Sequence, residues 1–167
     1  MATPKFAIIG RDAGSNGAIT LNGFESEWDA NVVTIGAKGT GSLMLQGGTF
    51  EGGILYVGNE AGSNGAITLE IGSLKVSLVS SIGVGGTGNV TMNIGLFEVA
   101  LMEIGSESTG VGTVSVVDAS LKVTQRLTVG GNGIGTLIVG PGATANVGRR
   151  ICLLIISGNC VSGRAGS

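Results

Sequence analysis

The nine residues Ala13–Leu21, AGSNGAITL, return letter for letter at Ala61–Leu69. This identity indicates a tandem array. A shorter motif, an apolar residue followed by Gly, recurs at intervals of roughly 22 to 26 residues, a period typical of solenoids, propellers and helical arrays. We term this motif the anchor. Anchors stand at Ile9, Ile35, Val57, Ile82, Ile104 and Val129.

Each anchor is followed by a second motif, the triplet, in which two apolar residues flank one variable residue. The first triplet is Ile19–Leu21, and the others begin at Leu43, Ile67, Val90, Val114 and Leu137. The triplet follows its anchor alternately at a longer and a shorter distance, as from Ile9 to Ile19 and from Ile35 to Leu43. The units therefore form pairs of one long and one short coil, and the pairs start near residues 9, 57 and 104.

The content of one unit favours strands over helices. One coil holds three short alternating segments, for example Val90–Met92, Phe97–Val99 and Met102–Ile104, separated by turn residues. Glycines interrupt every window with helical spacing, which excludes a helical array. A propeller whose blades are pairs of coils is the alternative, but three blades do not close a ring. We therefore predict an all-β, single-domain parallel β-helix, or β-solenoid, of about six to seven coils of 22 to 26 residues.

Equivalent residues of successive coils stack about 4.8 Å apart in a parallel β-helix, so the repeat predicts ladders of side chains. The anchors and the first and third triplet residues should point inward. A middle inward ladder comprises Phe50, Leu74, Phe97 and Leu121. The central triplet residues should point outward, and they are Thr20, Met44, Thr68, Thr91, Ser115 and Ile138. Glycines are expected at the corners, where a positive φ costs them no steric penalty.

The repeat also predicts the boundaries of the array. We expect residues 9–150 to form the solenoid and residues 1–8 to be a lead-in or partial cap. The repeat weakens after Gly148, so residues 151–167 are expected to be a degenerate last coil and a polar tail. Cys152 takes the place of the Gly that should follow an anchor at Ile151. With only one further cysteine, Cys160, ordinary thiols are favoured over a disulfide bridge.

Composition excludes several classes of function. Of the 167 residues, 33 are Gly, 9 are Lys or Arg and 11 are Asp or Glu, and the net charge is −2. Because no basic surface is available to neutralise phosphates, nucleic acid is not an expected partner. His is absent, which removes the commonest general base and transition-metal ligand. No apolar run approaches the ~18 residues of a transmembrane helix, so we expect no membrane insertion in this segment.

The repeats resemble those of a known family. The stretch Val129–Gly140, VGGNGIGTLIVG, and the GAITL motifs look like the repeats of autotransporter passenger domains, which are bacterial surface β-helices of the adhesin type. The resemblance covers Ile9 to about Gly148. It implies a right-handed parallel β-helix on, or released from, a Gram-negative cell, and a role in adhesion or self-aggregation. Since no signal peptide precedes the repeats, it also implies a fragment of a longer array or a truncated relative.

One stretch combines acidic groups with an aromatic residue that can stack on a sugar. Glu25, Glu27 and Asp29 lie beside Trp28. Polysaccharide-cleaving β-helices use carboxylates on an outer face, so this stretch is the candidate for catalysis. Because a short alternating run of charges is more often a solvated edge, we favour that interpretation.

The acidic residues Asp12, Glu60 and Glu107 follow the anchors of the long coils. Their equivalent positions suggest a ladder of bound cations, but the short, regular spacing of calcium-binding repeats is missing, so solvated loop charges are favoured. The glycine-rich stretches Gly83–Gly88 and Gly130–Gly135 invite comparison with phosphate-binding loops. Neither stretch has the Lys of a P-loop or opens a helix, so both are interpreted as corners.

The outward residues Thr20, Thr68 and Thr91 suggest an ice-binding face. Met44 and Ile138 interrupt that column, which weakens the suggestion.

These observations favour a non-enzymatic, extracellular or cell-surface structural or adhesive β-helix, with no catalytic residue, metal site or cofactor. Expected partners are a host-surface glycan or protein, or a second copy bound end to end, since the terminal coils of a solenoid expose strand edges. The apolar segment Ile151–Ile156 is the main aggregation hazard. A polysaccharide-active enzyme and a self-assembling filament subunit are the alternatives.

Overall fold

A computed structural model describes residues 5–148 and 150–153. Within these residues the chain forms twelve strands and no helix. The strands are β1 (Phe6–Ile9), β2 (Asn16–Asn22), β3 (Glu27–Ile35), β4 (Thr40–Val57), β5 (Asn64–Ile82), β6 (Thr87–Met92), β7 (Leu96–Ile104), β8 (Val111–Val116), β9 (Ser120–Val129), β10 (Ile134–Val139), β11 (Thr144–Val147) and β12 (Arg150–Leu153).

All strand pairs are parallel, and each joins a residue to its equivalent one coil away. The pairs build three sheets along a solenoid of about six turns. The triplet sheet contains residues 16–22, 40–46, 64–69, 87–92, 111–116 and 134–139. The middle sheet contains residues 27–30, 49–52, 73–76, 96–99, 120–123 and 144–147. The anchor sheet contains residues 6–9, 32–35, 54–57, 79–82, 101–104, 126–129 and 150–153. The predicted parallel β-helix is confirmed.

The corners interrupt the strands less than the sequence predicts. β4 and β5 are single strands of 18 and 19 residues that pass through all three sheets. Gly47, Gly48 and Gly72 have φ values of 120°, 80° and 134° at the corner between the triplet and middle sheets. Because glycine adopts these angles without a steric penalty, the chain bends there while its pairing with the next coil resumes at once.

The inward ladders form one continuous core. Leu43, Ile67, Val90 and Val114 of the triplet sheet are at most 1 % exposed. The middle ladder and the anchors are also buried, as predicted, and they comprise Phe50, Leu74, Phe97, Leu121, Ile9, Ile35, Val57, Ile82, Ile104 and Val129. Each aliphatic or aromatic side chain buried in this way contributes about 1.5–3 kcal/mol to folding.

The assignment of inward residues is less accurate in the terminal coils. Val139 was expected inward but is 45 % exposed, and Leu137 is only half-buried. Both lie in β10, which among the described strands pairs only with β8. Ile19 and Leu21 in β2, at the opposite end, are half-buried for the same reason, since in the part of the chain that the structure describes β2 pairs only with β4.

The alternation of long and short coils arises from an additional turn. In the long coils, the N–H of Ser15 donates to the carbonyl of Asp12 at 2.9 Å, and that of Ser63 donates to Glu60 at 3.0 Å. The N–H of Gly110 donates in the same way to Glu107 at 2.8 Å. Each of these bonds closes a four-residue turn. The short coils bridge the same corner without it.

The first and last described strands, β1 and β12, both belong to the anchor sheet. β1 begins at Phe6, inside the expected lead-in, and pairs with residues 32–35. At the other end β12 continues the anchor sheet, and Leu153 lies opposite Val129. Leu153 rather than Ile151 therefore takes the anchor position, because the last coil is slightly longer than the repeat predicts. The polar tail and Cys160 lie outside the described residues, as does the side chain of Cys152.

Candidate functional site

A ladder of charged side chains follows the outer surface of the middle sheet. We term it the charge ladder, and it comprises Lys5, Asp29, Glu51, Lys75, Glu98 and Lys122. Nζ of Lys5 lies 3.0 Å from Oδ2 of Asp29. Nζ of Lys75 lies 2.9 Å from Oε1 of Glu51, and Nζ of Lys122 lies 2.7 Å from Oε1 of Glu98. Each of the three ion pairs joins two neighbouring coils. Because the ladder holds three lysines and three acidic residues, it has no net charge.

The charge ladder favours one register of the coils over others. Its side chains are about one-third to two-thirds exposed, so each pair contributes little to stability by itself. Opposite charges on facing strands favour the register that brings them together, whereas like charges oppose it. Within the six residues of the ladder, only Asp29 and Glu51 are like-charged neighbours. Outside the charge ladder, Nη2 of Arg126 lies 3.5 Å from Oε1 of Glu103 of the preceding coil, on the anchor sheet.

A groove runs beside the charge ladder, where the middle sheet meets the anchor sheet. Its volume is about 770 Å³. It is lined by residues 29–32, 51–54, 75–78, 98–100 and 124, which belong to five successive coils. At about 4.8 Å per coil, it extends roughly 20 Å along the solenoid axis.

The two walls of the groove differ in chemistry. Asp29, Glu51, Lys75 and Glu98 contribute the charged wall. Val32, Ile54 and Leu78 contribute aliphatic surface three residues farther along the same strands, β3, β4 and β5. The residues between the walls are small, among them Gly52, Gly53, Ser77 and Ala100. This arrangement leaves space for an extended molecule with one polar and one apolar side.

The structure separates the acidic cluster of the first coil from its aromatic neighbour. The sequence suggests Trp28 as a sugar-stacking residue, but its side chain is half-buried and stacks above Phe50 in the middle inward ladder. The two rings pack edge to face with centroids 5.0 Å apart and an interplanar angle of 62°. Glu27 and Asp29 alternate with it and are exposed. Because neighbouring residues of a strand point to opposite faces, the tryptophan and the carboxylates do not form one site.

The glycine-rich stretches are corners, as the sequence predicts. The N–H groups of Gly83, Val84, Gly85 and Gly86 donate to carbonyls of the preceding coil at 2.7–3.1 Å. The N–H groups of residues 130–133 do the same at 2.8–3.2 Å. Donors that already bond the neighbouring coil are not free to bind an anion, so these stretches do not form phosphate sites.

The acidic loop residues Asp12, Glu60 and Glu107 belong to alternate coils and accept the turn bonds described above through their carbonyls. A short coil separates each from the next, and Lys38 of the first short coil lies 3.8 Å from Glu60. Within the described residues, no group of three or more His, Cys, Asp or Glu side chains is placed to hold a metal ion.

The threonine column lies on the outer surface of the triplet sheet, as predicted. Thr20, Thr68 and Thr91 alternate there with the inward ladder, and Met44 and Ile138 are 36 % and 52 % exposed in the same column. An ice-binding face would require a regular array of hydroxyl groups in this column. Two large apolar side chains, Met44 and Ile138, interrupt that array.

Reversing one charge tests whether the ladder specifies register. Lys75→Glu creates four successive acidic positions, and we expect a lower melting temperature at low salt and recovery in 1 M NaCl, where the Debye length is about 3 Å. The hydrogen bond and the charge of Glu51 hold the pKa of Lys75 above its ordinary value of 10.5. Its stabilising contribution is therefore complete at neutral pH and is lost as the pH rises through the folded-state pKa.

The matched control combines Lys75→Glu with Glu51→Lys. This double variant has one like-charged neighbouring pair, as the natural ladder does, and should melt close to the unmodified chain. Equal melting temperatures of the single and double variants at low salt would contradict the role of the ladder in register.

The described residues contain no helix that is long and apolar enough to cross a membrane. The chain was also compared with known proteins. No family model, no curated protein and no solved structure matches it.

Proposed function

We propose that this chain is a non-enzymatic structural or adhesive β-solenoid that acts outside the cell or at a cell surface. The observation that carries the proposal is the groove, which is lined by residues of five successive coils. A surface built in this way binds through many weak contacts that add along its length. The likeness of the repeats to those of autotransporter passenger domains supports the same role and the extracellular location.

The ion pairs of the charge ladder also support a non-enzymatic role. Each carboxylate of the groove, in Asp29, Glu51 and Glu98, has a lysine partner within 3.0 Å in a neighbouring coil. Glycoside hydrolysis instead requires two carboxyl groups in contrasting environments, one of them protonated as the acid. Three similar ion pairs do not provide that contrast.

An adhesion assay tests the proposal. Beads coated with the folded chain should bind to cultured epithelial cells or to bacterial cells more than beads coated with heat-unfolded chain do. Incubating the chain with soluble polysaccharides should release no new reducing ends. Absence of adhesion to both cell types would contradict the adhesive role, and depolymerisation would favour the enzyme.

A filament subunit is the second candidate, and exposed apolar residues at both ends favour it. Phe6 is 68 % exposed at one end, and Ile134 is 64 % exposed at the other. In a head-to-tail stack of two copies, β2 of one copy would pair with β10 of the other and so continue the triplet sheet. β1 would then require the position that β12 occupies above residues 126–129. Such a filament therefore needs β1 or β12 to move aside.

Sedimentation of the preparation used for adhesion distinguishes the two candidates. A filament subunit should grow in mass with concentration, and a variant that ends at residue 148 should do so more strongly because β12 is removed. A chain that stays monomeric in both forms is not a filament subunit.

A further inference from the structure

We propose that the groove between the middle and anchor sheets binds a neutral polysaccharide chain along the solenoid axis. This inference deepens the proposed adhesive function and rests on it.

The shape of the groove favours a polymer. A compact ligand is usually enclosed on most sides by its pocket. Here the volume of about 770 Å³ is distributed over five coils, roughly 20 Å, beside the outer surface of the solenoid. An extended chain of several units fits this shape better than one compact molecule does.

The charges favour a neutral polymer. Within the groove, Asp29, Glu51 and Glu98 outnumber Lys75, and the ladder as a whole is balanced by Lys5 and Lys122. Polyanions such as nucleic acids and polyuronates need an excess of Lys and Arg, which this surface lacks. A neutral chain meets no such repulsion and can hydrogen-bond to the charged wall.

The two walls match the two sides of a sugar ring. A pyranose has C–H faces, which pack on aliphatic side chains, and hydroxyl edges, which hydrogen-bond. Leu78 is 55 % exposed on the aliphatic wall, together with Val32 and Ile54, and burial of such surface favours binding. Carboxylates such as Glu51 and Glu98 accept strong hydrogen bonds from hydroxyl groups.

An extended peptide fits the groove less well. Peptides that bind to sheets usually add a strand to a free edge, but this groove crosses the strands, whose backbone groups pair between coils. Proline-rich peptides dock in grooves lined by aromatic rings, and no aromatic side chain lines this one. The groove therefore lacks the features that either mode of peptide recognition uses.

Electrophoresis in native gels that contain a polysaccharide tests the inference. The probes are three neutral polymers, namely laminarin, galactomannan and hydroxyethyl cellulose, and one polyanion, polygalacturonate. We expect at least one neutral polymer to retard the full chain and polygalacturonate to leave its mobility unchanged.

Two pairs of variants locate the binding site. Leu78→Ser removes an aliphatic group of the groove, and Ile138→Ser removes one that is 52 % exposed on the triplet sheet. Glu98→Gln removes a carboxylate that lines the groove. Glu103→Gln removes a carboxylate outside the groove that is also ion-paired and is exposed to a similar extent. The two groove variants should bind at least tenfold more weakly, which corresponds to about 1.4 kcal/mol, and the two controls should change less than twofold.

The inference is wrong if no neutral polymer retards the chain, if polygalacturonate binds better, or if the groove variants and their controls behave alike. Bead adhesion without polysaccharide binding would overturn this inference alone. If the chain shows neither bead adhesion nor polysaccharide binding, the proposed function is overturned as well.

Discussion

Ile67→Asp is expected to lower the free energy of unfolding by about 4 kcal/mol or more and to unfold several coils together. Ile67 is 1 % exposed and stacks between Leu43 and Val90 in the triplet sheet. The new carboxylate has no cation within this apolar ladder. Because each coil of a solenoid packs only on its neighbours, the loss extends to the adjacent coils. Urea denaturation at neutral pH measures the effect.

Thr68→Asp is the matched control for this prediction. Thr68 is the next residue of the same strand, but it points outward between Met44 and Thr91. The same substitution should cost about 1 kcal/mol or less there, mainly because Asp is unfavourable in strands. Similar losses at the two positions would show that the alternation of inward and outward residues is assigned wrongly.

Gly58→Ala is expected to destabilise the chain by about 3–5 kcal/mol. Gly58 follows an anchor and has a φ of +66°. A Cβ at this position would also overlap the backbone carbonyl of Thr87 in the next coil. The substitution therefore imposes an unfavourable backbone conformation and forces two coils apart.

Gly62→Ala separates these two causes within the same corner. Gly62 has a φ of +81°, but a Cβ there meets no atom within 4 Å. This variant should lose only the conformational term, about 1–2 kcal/mol. Thermal melts of both variants measure the difference, and equal losses would mean that the close approach of the coils contributes nothing.

Two features of the middle sheet were within reach of the sequence but were not predicted. Trp28 precedes Phe50 by one coil, and so it belongs to the middle inward ladder. The charged residues Asp29, Glu51, Lys75 and Glu98 likewise follow one another at intervals of one coil. Extending the middle ladder by one coil would have placed the tryptophan inside and the carboxylates outside.

The groove was not predictable in this way. It requires the outward residues of two sheets to approach each other at a corner, and the number of residues at that corner varies from coil to coil. The register with the neighbouring coil shifts within β4, between positions Gly52 and Ile54, and within β5, between positions Val76 and Val79. Each shift changes the phase of the inward and outward alternation, and only the pairing with neighbouring coils determines where it occurs.

The sequence by itself determined the parallel β-helix, its alternation of long and short coils, most of its inward ladders and the glycines after its anchors. These features follow from two regular signals, the coil period of about 24 residues and the alternation of side chains along a strand. Only the tertiary structure decided that the rings of Trp28 and Phe50 pack edge to face, which of the oppositely charged neighbours form ion pairs within 3.0 Å, and that five coils line one groove. The physical reason is that these contacts join residues of different coils, and the bulges at the corners set which of their side chains meet.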